Sequence, residues 1–287
     1  MVESCVGVLG ASSLVGECLL PMLSKAGWRV VAFSRRAAES GLGVEWRQLP
    51  FTEVAAEISH WICVAPIWVL PDYFALIEAA GARRIVVLSS TSRFTKVGSG
   101  DMAEQATAAK LIDGEARVQA WAESRGIEWV ILRPTLIYGL GRDKNVSEIA
   151  CFIRRFGFFP VLGEAKGLRQ PIHAEDVAGA CLAALQGSDG RSRSYNISGG
   201  ETLTYREMVA RVFTALGRRP RLLTVPLWAF RLAVSMLRCL PRYRQWSAAM
   251  AERMNRDLVF DHADAVRDLG FKPRGFALAT EDLPTCA

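Results

Sequence analysis

The chain has 287 residues, of which 51% are hydrophobic and 22% are charged. This composition is sufficient to bury a substantial core, and it excludes a mainly disordered protein. Arginine interrupts the longest apolar stretches, which excludes a membrane span of about 20 residues. The first residues show neither a cationic region nor a cleavage site, so we expect a cytoplasmic protein without a cleaved signal.

Cysteine content and net charge narrow the classes of ligand. The seven cysteines are scattered without a CxxC pair, and only three histidines are present. This pattern argues against any metal site, including zinc, and predicts mostly reduced cysteines in the core. The net charge of +6 suits anionic ligands such as phosphates, or an anionic membrane surface. No nucleic-acid-binding motif is present, so we expect no nucleic-acid partner.

The first half of the chain alternates short apolar runs with helical patterns. Strands are predicted over 6–9, 29–33, 44–46, 61–65, 84–88 and 128–132. Helices are predicted over 14–23, 71–80 and 108–125. Strands that are apolar on both faces and alternate with helices indicate an α/β fold with a doubly wound parallel sheet of the Rossmann type.

The second half is less regular and indicates a smaller, mostly helical C-terminal lobe. Helices are predicted over 146–156, from Asp176 to 186, and from Thr204, which forms a capping box with Glu207. A short strand is expected over 195–197, and an apolar helix over 226–240. We therefore predict a dinucleotide-binding domain over 1–145, to which 171–198 return. Residues 146–170 and 199–287 form the predicted substrate lobe.

A glycine-rich turn lies between the first strand and the first helix. Such a turn directs main-chain N–H groups and the helix N-terminus at a pyrophosphate. Gly10 would make the turn, and Gly16 would let the helix pack closely. The alternative is an ordinary strand-to-helix turn. The predicted cofactor-binding residues of this segment are Gly10, Ser12, Ser13, Leu14, Val15 and Gly16.

The end of the second strand bears on the choice between NAD and NADP. An acidic residue there would hydrogen-bond the adenine ribose and favour NAD. This chain has Ser34, Arg35 and Arg36 instead, and two guanidiniums with a hydroxyl suit the 2′-phosphate of NADP. We therefore predict NADP as the cofactor, with NAD disfavoured. The alternative is a solvated basic turn.

Several segments together resemble the short-chain dehydrogenase/reductase superfamily, in its extended or atypical, NAD-dependent epimerase/dehydratase-like branch. The segments are the glycine turn at 9–16, the serine-rich run at 88–94, Arg-Pro at 132–139, and the later runs at 169–177, 195–200 and 258–261. Their order and spacing cover nearly the whole chain.

This resemblance implies roles for further residues. Ser90 takes the active-site Ser/Thr position, and Arg169 the position of an arginine that often meets a substrate phosphate. The substrate-binding set also includes Asn145. Further cofactor-binding residues implied in this way are Ala65, Pro66, Ser89 and Pro134.

The chain departs from the superfamily at the Tyr-x-x-x-Lys pair, which relays a proton and holds the nicotinamide ribose. Counting back from Glu115, the two positions fall on Thr107 and Leu111. Lys110 is one residue off, which on a helix points it about 100° away. Tyr138 is the nearest phenol, so Ser90 and Tyr138 are the catalytic candidates. Their alternatives are a loop-capping serine and a packed tyrosine.

The apolar helix predicted over 226–240 carries an arginine stripe that includes Arg231, Arg238 and, just beyond it, Arg242. Such a helix suits weak peripheral contact with an anionic membrane, or a lipid-linked substrate. The alternative is a helix of the substrate lobe with its arginines in water.

Two classes of function follow. The first is an NADP-dependent oxidoreductase or epimerase/dehydratase acting on a nucleotide-activated or lipid-linked sugar, or on another small alcohol or ketone. The second is a non-catalytic NADP(H)-binding structural, assembly or sensor protein, which the missing Tyr and Lys favour. The substrate-lobe motifs favour the enzyme.

Overall fold

The computed structural model describes residues 4–35, 43–50, 57–187, 192–226 and 253–285. The strands in these ranges are β1 (Cys5–Leu9), β2 (Arg29–Ser34), β3 (Val44–Gln48), β4 (His60–Cys63), β5 (Arg84–Leu88), β6 (Glu128–Pro134), β7 (Ile137–Tyr138), β8 (Phe159–Leu162), β9 (Leu168–Arg169), β10 (Ile172–His173), β11 (Arg193–Ile197), β12 (Leu203–Thr204) and β13 (Leu222–Val225). The α-helices are α1 (Leu14–Lys25), α2 (Phe74–Ala79), α3 (Ser92–Thr95), α4 (Met102–Ser124), α5 (Val146–Phe156), α6 (Ala174–Gln186), α7 (Tyr205–Ala215) and α8 (Ala263–Leu269). Short 3₁₀ helices span Ile67–Tyr73 and Thr280–Asp282.

Seven parallel strands form the main sheet, in the order β11-β6-β5-β4-β1-β2-β3. The chain runs outwards from β1 to β3, then crosses to the other side of β1 and runs outwards again through β4, β5 and β6. The order therefore reverses between β1 and β4, and ligands of such sheets bind in the crevice outside the strand ends at this point. The predicted α/β, doubly wound fold is confirmed.

The described residues form three hydrophobic clusters. One face of the sheet packs against α1 and α6, and the other against α4 and the 67–73 helix. Because helices cover both faces of the sheet, strands such as β1 and β5 are buried along their whole length. The third cluster lies among α5, α7 and β8. We call the elements around it, with β13 beside β8, the C-terminal lobe.

Of the two helix starts predicted from capping residues and pattern, the structure confirms one and moves the other. Thr204 and Glu207 form the predicted capping box. α6 begins two residues earlier than predicted, because the His173 ring accepts a hydrogen bond from the Glu175 amide and serves as the N-cap. β11 adds to the main sheet beside β6. The division into domains stays a prediction, and the arginine stripe of 231–242 lies outside the described residues.

The cysteines differ from expectation at one position. Cys5, Cys18, Cys63 and Cys181 are free and buried, as predicted for core residues. Cys151 on α5 is disulfide-bonded, so the expectation of a reduced thiol is wrong there. Across the described ranges, no helix combines the length and apolar character needed to cross a bilayer.

Candidate functional site

The turn after β1 lies against the start of the loop after β4, at the point where the strand order reverses. Gly10 has φ of +81°, and a Cβ there would lie 2.5 Å from the Ala65 main-chain nitrogen. A side chain at this position would be strained by its backbone and would also push the two loops apart. Gly10 therefore keeps the loops at the mouth of the crevice in close contact.

The N-terminus of α1 presents main-chain donors to the same crevice. The Ser13 side chain caps the helix by accepting from the Gly16 amide at 3.1 Å. A Cβ on Gly16 would lie 2.3 Å from the Ala11 carbonyl oxygen, so this position has no room for a side chain. Within the described residues, the amides of Ser12, Leu14 and Val15 donate to no acceptor, as the first turn of a helix allows. A pyrophosphate fits this set of donors.

The end of β2 reaches the turn through its side chains. The Ser12 and Ser34 hydroxyls are 3.3 Å apart, and Ser34 is buried. Arg35 follows with an exposed side chain that makes no ion pair among the described residues. Its main-chain oxygen accepts a hydrogen bond from Gln48. Arg36 lies outside the described residues.

Four further residues predicted to bind cofactor lie at or just after the ends of three neighbouring strands, β4, β5 and β6. Ala65 is half-buried and Pro66 exposed after β4. Ser89 follows β5, and its hydroxyl donates to Glu115 at 2.5 Å. Pro134 ends β6, and its carbonyl accepts from the Thr91 amide and hydroxyl, both at 3.1 Å. Their contact with a cofactor stays a prediction.

Ser90 is half-buried at the C-terminal end of the sheet. Its hydroxyl oxygen accepts from the Ser92 amide at 3.1 Å, which starts the short helix α3. This is the capping role expected as the alternative. It leaves the hydroxyl proton available to a substrate oxygen, so the geometry is compatible with both roles.

The α4 positions that replace the Tyr–Lys pair have no proton-relay chemistry. The Thr107 hydroxyl donates to the Ala103 carbonyl of its own helix at 2.8 Å. Leu111 is 4% exposed and packs in the core against the sheet. Lys110 is exposed, with its ammonium 6.0 Å from the centre of the Trp68 ring. Lys110 therefore does not occupy the face that Leu111 presents to the core.

A buried ionic cluster lies beside Ser90. The Glu115 carboxylate, with 2% of its side chain exposed, accepts from the Ser89 hydroxyl and from the guanidiniums of Arg93 and Arg133. The shortest Arg133 contact is 2.7 Å. Both guanidiniums also lie over the Phe94 ring. Sequence reasoning used Glu115 only to set the helix register and missed both arginines, since no local signal indicated that they meet.

Tyr138 does not present its phenol to the crevice. Its side chain is fully buried, packs edge-on against His173 and Phe276, and donates to the Ala277 carbonyl at 3.3 Å. Burial raises the pKa of the phenol to about 12, with the nearby Asp282 carboxylate acting in the same direction. This environment is that of the packed tyrosine, so its catalytic role stays a prediction without geometric support.

The two predicted substrate-binding residues bond to main-chain and carboxylate groups of the protein itself. Arg169 is 4% exposed, and its guanidinium donates to the carbonyls of Leu168, Arg253 and Arg256. A substrate phosphate would have to displace these carbonyls. Asn145 is exposed at the N-terminus of α5, where its main-chain N–H donates a hydrogen bond of 2.8 Å to the Asp143 carboxylate. Both substrate roles stay predictions.

Comparisons with known proteins agree with this geometry. The model of the NAD dependent epimerase/dehydratase family matches residues 73–198. The 2'-dehydrokanamycin reductase of Streptomyces kanamyceticus is 31% identical over 248 residues, which are 77% of this chain and 70% of that protein. The chain belongs to the NAD-dependent epimerase/dehydratase family. This confirms the resemblance to extended short-chain dehydrogenases/reductases.

Two other relatives show how far the likeness extends along the family. The (4-alkanoyl-5-oxo-2,5-dihydrofuran-3-yl)methyl phosphate reductase of Streptomyces griseus is 28% identical over 93% of each chain. The UDP-glucose 4-epimerase of Vibrio cholerae is 21% identical over 56% of this chain and 47% of that enzyme. The alignments span half or less of the length of several relatives, including 50% of an uncharacterised Sinorhizobium fredii protein.

Solved structures share the fold of this family member. MoeE5 in complex with UDP-glucuronic acid and NAD has a TM-score of 0.70 at 21% identity, covering 96% of this chain and 95% of that one. The UDP-glucuronic acid 4-epimerase from Bacillus cereus, in complex with NAD, has a TM-score of 0.72 at 14% identity, covering 97% and 95%. The family supports a nicotinamide dinucleotide cofactor, and both of these neighbours are complexes with NAD.

Proposed function

We propose that this protein is a nicotinamide-dinucleotide-dependent oxidoreductase of the reductase or epimerase/dehydratase type. Its proposed substrate is a small alcohol or ketone, with a nucleotide-activated, phosphate-bearing or lipid-linked sugar as the preferred class. The observation that carries the proposal is the closely packed turn at Gly10, next to amides at the N-terminus of α1 that have no acceptor in the described part of the chain. Relatives named as reductases and neighbours bound to UDP-sugars support the reaction and substrate classes.

Each residue has a defined task in this proposal. The cofactor, when bound, supplies or accepts a hydride. The amides of Ser12, Leu14 and Val15 hold its pyrophosphate, and the loop residues Ala65 and Pro66 border it. Ser90 donates its hydroxyl proton in a hydrogen bond to the substrate oxygen and so polarises the reacting carbon–oxygen bond.

The proposed cofactor preference rests on the end of β2. Positions 34 and 35 are a serine and an arginine, so neither carries a carboxylate that would repel a 2′-phosphate. The exposed Arg35 guanidinium has no acidic partner among the described residues. We therefore expect NADPH to bind more tightly than NADH. The neighbours solved with NAD make this a sharp test of the individual chain.

The test titrates both reduced cofactors against wild type, Arg35→Ala and Arg29→Ala. Arg29 lies at the opposite end of the same strand, so it controls for the loss of one positive charge. Arg35→Ala should weaken NADPH binding by about 1.5–3 kcal/mol, the scale of a charge-assisted hydrogen bond, and leave NADH binding unchanged. Equal affinities of wild type for the two cofactors would reject the NADP preference. No binding of either would reject the proposed function.

A non-catalytic dinucleotide-binding protein is the second candidate. Leu111, which is buried, and Thr107, whose hydroxyl bonds to a carbonyl of its own helix, favour it because neither can relay a proton. Such a protein would bind the cofactor without turning over the family's substrate classes. Screening UDP-sugars and amino-sugar ketones with bound cofactor separates the two candidates.

A further inference from the structure

We propose that the C-terminal lobe carries a surface that binds an anionic lipid bilayer. We call this surface the aromatic–arginine patch. It combines apolar side chains from the turn after α5 and from β13 with cations of the turn before β13. Its members are Phe156, Phe158, Leu223, Arg218, Arg219 and Arg221.

The apolar part of the patch is exposed by the local geometry. Gly157 ends α5 in the left-handed conformation, and Phe156 and Phe158 stand on either side of it with ring centres 6.4 Å apart. Phe156 is 51% exposed, Phe158 36%, and Leu223 55%. A cluster of large exposed apolar side chains marks a contact surface rather than ordinary solvated exterior.

The cationic part lies against the same helix end. The Arg218 guanidinium donates to the Ile153 carbonyl of α5 at 2.7 Å. The Phe159 amide donates to the Arg221 carbonyl at 2.9 Å, which continues as the pairing of β8 with β13. These two contacts join segments about sixty residues apart into one surface. Arg219 and Arg221 are exposed in the turn that these two contacts hold against the end of α5.

Two stretches of sequence that contain the patch residues are free of acidic side chains. Residues 208–251 contain eight arginines and no lysine, aspartate or glutamate, and residues 149–163 also lack an acidic side chain. Because the whole chain carries +6 and residues 208–251 carry +8, the rest of the chain carries a net −2. The positive charge of the protein is thus concentrated at the patch and in the chain that follows it.

An anionic bilayer is the partner that matches both parts of the surface. Phenylalanine and leucine enter the boundary between headgroups and acyl chains, while the arginines remain with the lipid phosphates. A second copy of the chain would place like charges against each other. Residues 227–252, if they covered the patch, would add cations rather than neutralise those present.

The experiment is vesicle sedimentation of the full chain with phosphatidylcholine alone and with an equimolar mixture of phosphatidylcholine and phosphatidylglycerol. The variants are Phe156→Ala/Phe158→Ala and Arg219→Ala/Arg221→Ala. Arg218 is left intact because it caps α5. The matched controls are Met102→Ala/Val266→Ala, two exposed apolar residues elsewhere, and Arg83→Ala/Arg117→Ala, two exposed cations elsewhere. Retained far-ultraviolet circular dichroism shows that each variant is folded.

We expect binding to the anionic vesicles at low salt and its loss at high salt. Removing two patch arginines should weaken binding about thirtyfold, since each cation near an anionic surface contributes about a fivefold factor. Removing both phenylalanines should weaken it by about tenfold or more. The control pairs should change it less than about threefold.

Three outcomes would overturn the proposal. They are no sedimentation of wild type with anionic vesicles, equal binding to neutral vesicles, and patch variants that bind like the controls. Concentration-dependent dimerisation that the phenylalanine variant abolishes, without vesicle binding, would assign the patch to a second copy of the chain. None of these results depends on whether the dinucleotide site is catalytic.

Discussion

The Glu115 side chain links three elements, because its carboxylate on α4 pairs with one guanidinium from α3 and one from the sheet. Its buried carboxylate balances two guanidiniums, from Arg93 after β5 and from Arg133 on β6. Removing one partner from a buried ionic cluster costs much more than the cluster contributes, because the remaining charges lose their compensation. The arginines beside Ser90 therefore depend on this carboxylate for their position.

Glu115→Gln should lower the free energy of unfolding by about 3–5 kcal/mol. Urea denaturation measures this. Glu57→Gln is the control, since Glu57 is 74% exposed and 3.8 Å from Arg83. An exposed pair of this kind contributes about 1 kcal/mol at most. Equal effects of the two variants would show that the cluster does not stabilise the fold.

The buried phenol of Tyr138 should make the free energy of unfolding fall at alkaline pH. Burial raises the pKa of the folded phenol to about 12, above its ordinary value near 10. A raised folded-state pKa gives stability that is fully present below pH 10 and is lost as the pH rises from about 10 to 12, where the unfolded chain ionises first. Two pKa units correspond to about 2.7 kcal/mol.

Tyr138→Phe should lack this contribution. The variant should lose about 1 kcal/mol at neutral pH with its hydrogen bond, and its unfolding free energy should fall less steeply than that of wild type above pH 10. Chemical denaturation as a function of pH tests both statements. Parallel curves above pH 10 would mean that the phenol ionises as readily in the folded protein as in the unfolded chain.

At the scale of elements, the turn between β1 and α1 depends on the space around its glycines. Gly10 and Gly27 have nearly equal positive φ, +81° and +83°. A Cβ on Gly10 would meet Ala65, whereas a Cβ on Gly27 would meet nothing within 4 Å. The pair therefore separates backbone strain from crowding at the crevice.

Gly27→Ala should cost about 1–2 kcal/mol of stability and leave dinucleotide affinity unchanged. Gly10→Ala should cost more and also weaken dinucleotide binding by at least about tenfold, because the loops after β1 and β4 must move apart. Thermal unfolding and cofactor titration give the two readouts. Unchanged binding in a folded Gly10→Ala protein would remove the turn from the cofactor site.

Gly16 gives a second comparison on helices. A Cβ on Gly16 would lie 2.3 Å from the Ala11 carbonyl oxygen, and a Cβ on Gly179 of α6 would meet nothing within 4 Å. Gly179→Ala should therefore stabilise α6 by up to about 1 kcal/mol. Gly16→Ala should destabilise the protein and weaken cofactor binding. A stabilised Gly16→Ala variant that binds normally would contradict the proposed close packing of α1.

At the scale of the whole molecule, the fold has a crevice where the strand order reverses, and Thr107 and Leu111 stand at the positions of the family's proton relay. General acid–base assistance is typically worth about 10²–10⁴-fold in rate. We therefore expect dinucleotide binding with little turnover of generic ketones and aldehydes, measured as oxidation of the reduced cofactor. With a verified substrate, Ser90→Ala should reduce kcat while cofactor binding is retained. Ser124→Ala, at the far end of α4, is the control.

Fast reduction of generic carbonyls by wild type would show that another group replaces the tyrosine. Full activity of Ser90→Ala on a verified substrate would remove this serine from the mechanism. The two results are independent, because the first concerns the proton donor and the second the polarisation of the substrate oxygen.

The strands and the glycine turn could be predicted because their signals are local. A buried parallel strand needs a run of apolar residues, and the turn needs glycine where φ is positive. The sequence therefore predicts β1, the turn at Gly10 and α1 in their order along the chain. The sequence places the start of α6 two residues too late, because the N-cap is His173, whose ring is an unusual capping acceptor.

The sequence by itself determined the fold class, the location of the glycine turn after β1, and the residues Thr107 and Leu111 at the positions of the Tyr–Lys pair. Only the tertiary structure decided that Arg93 and Arg133 meet at Glu115, that Tyr138 is buried, and that Arg169 donates to main-chain carbonyls. The physical reason is the range of the interactions. Backbone conformation and apolar periodicity are fixed by near neighbours, whereas the partner of a charged or phenolic group comes from a distant element whose position depends on the packing of the whole chain.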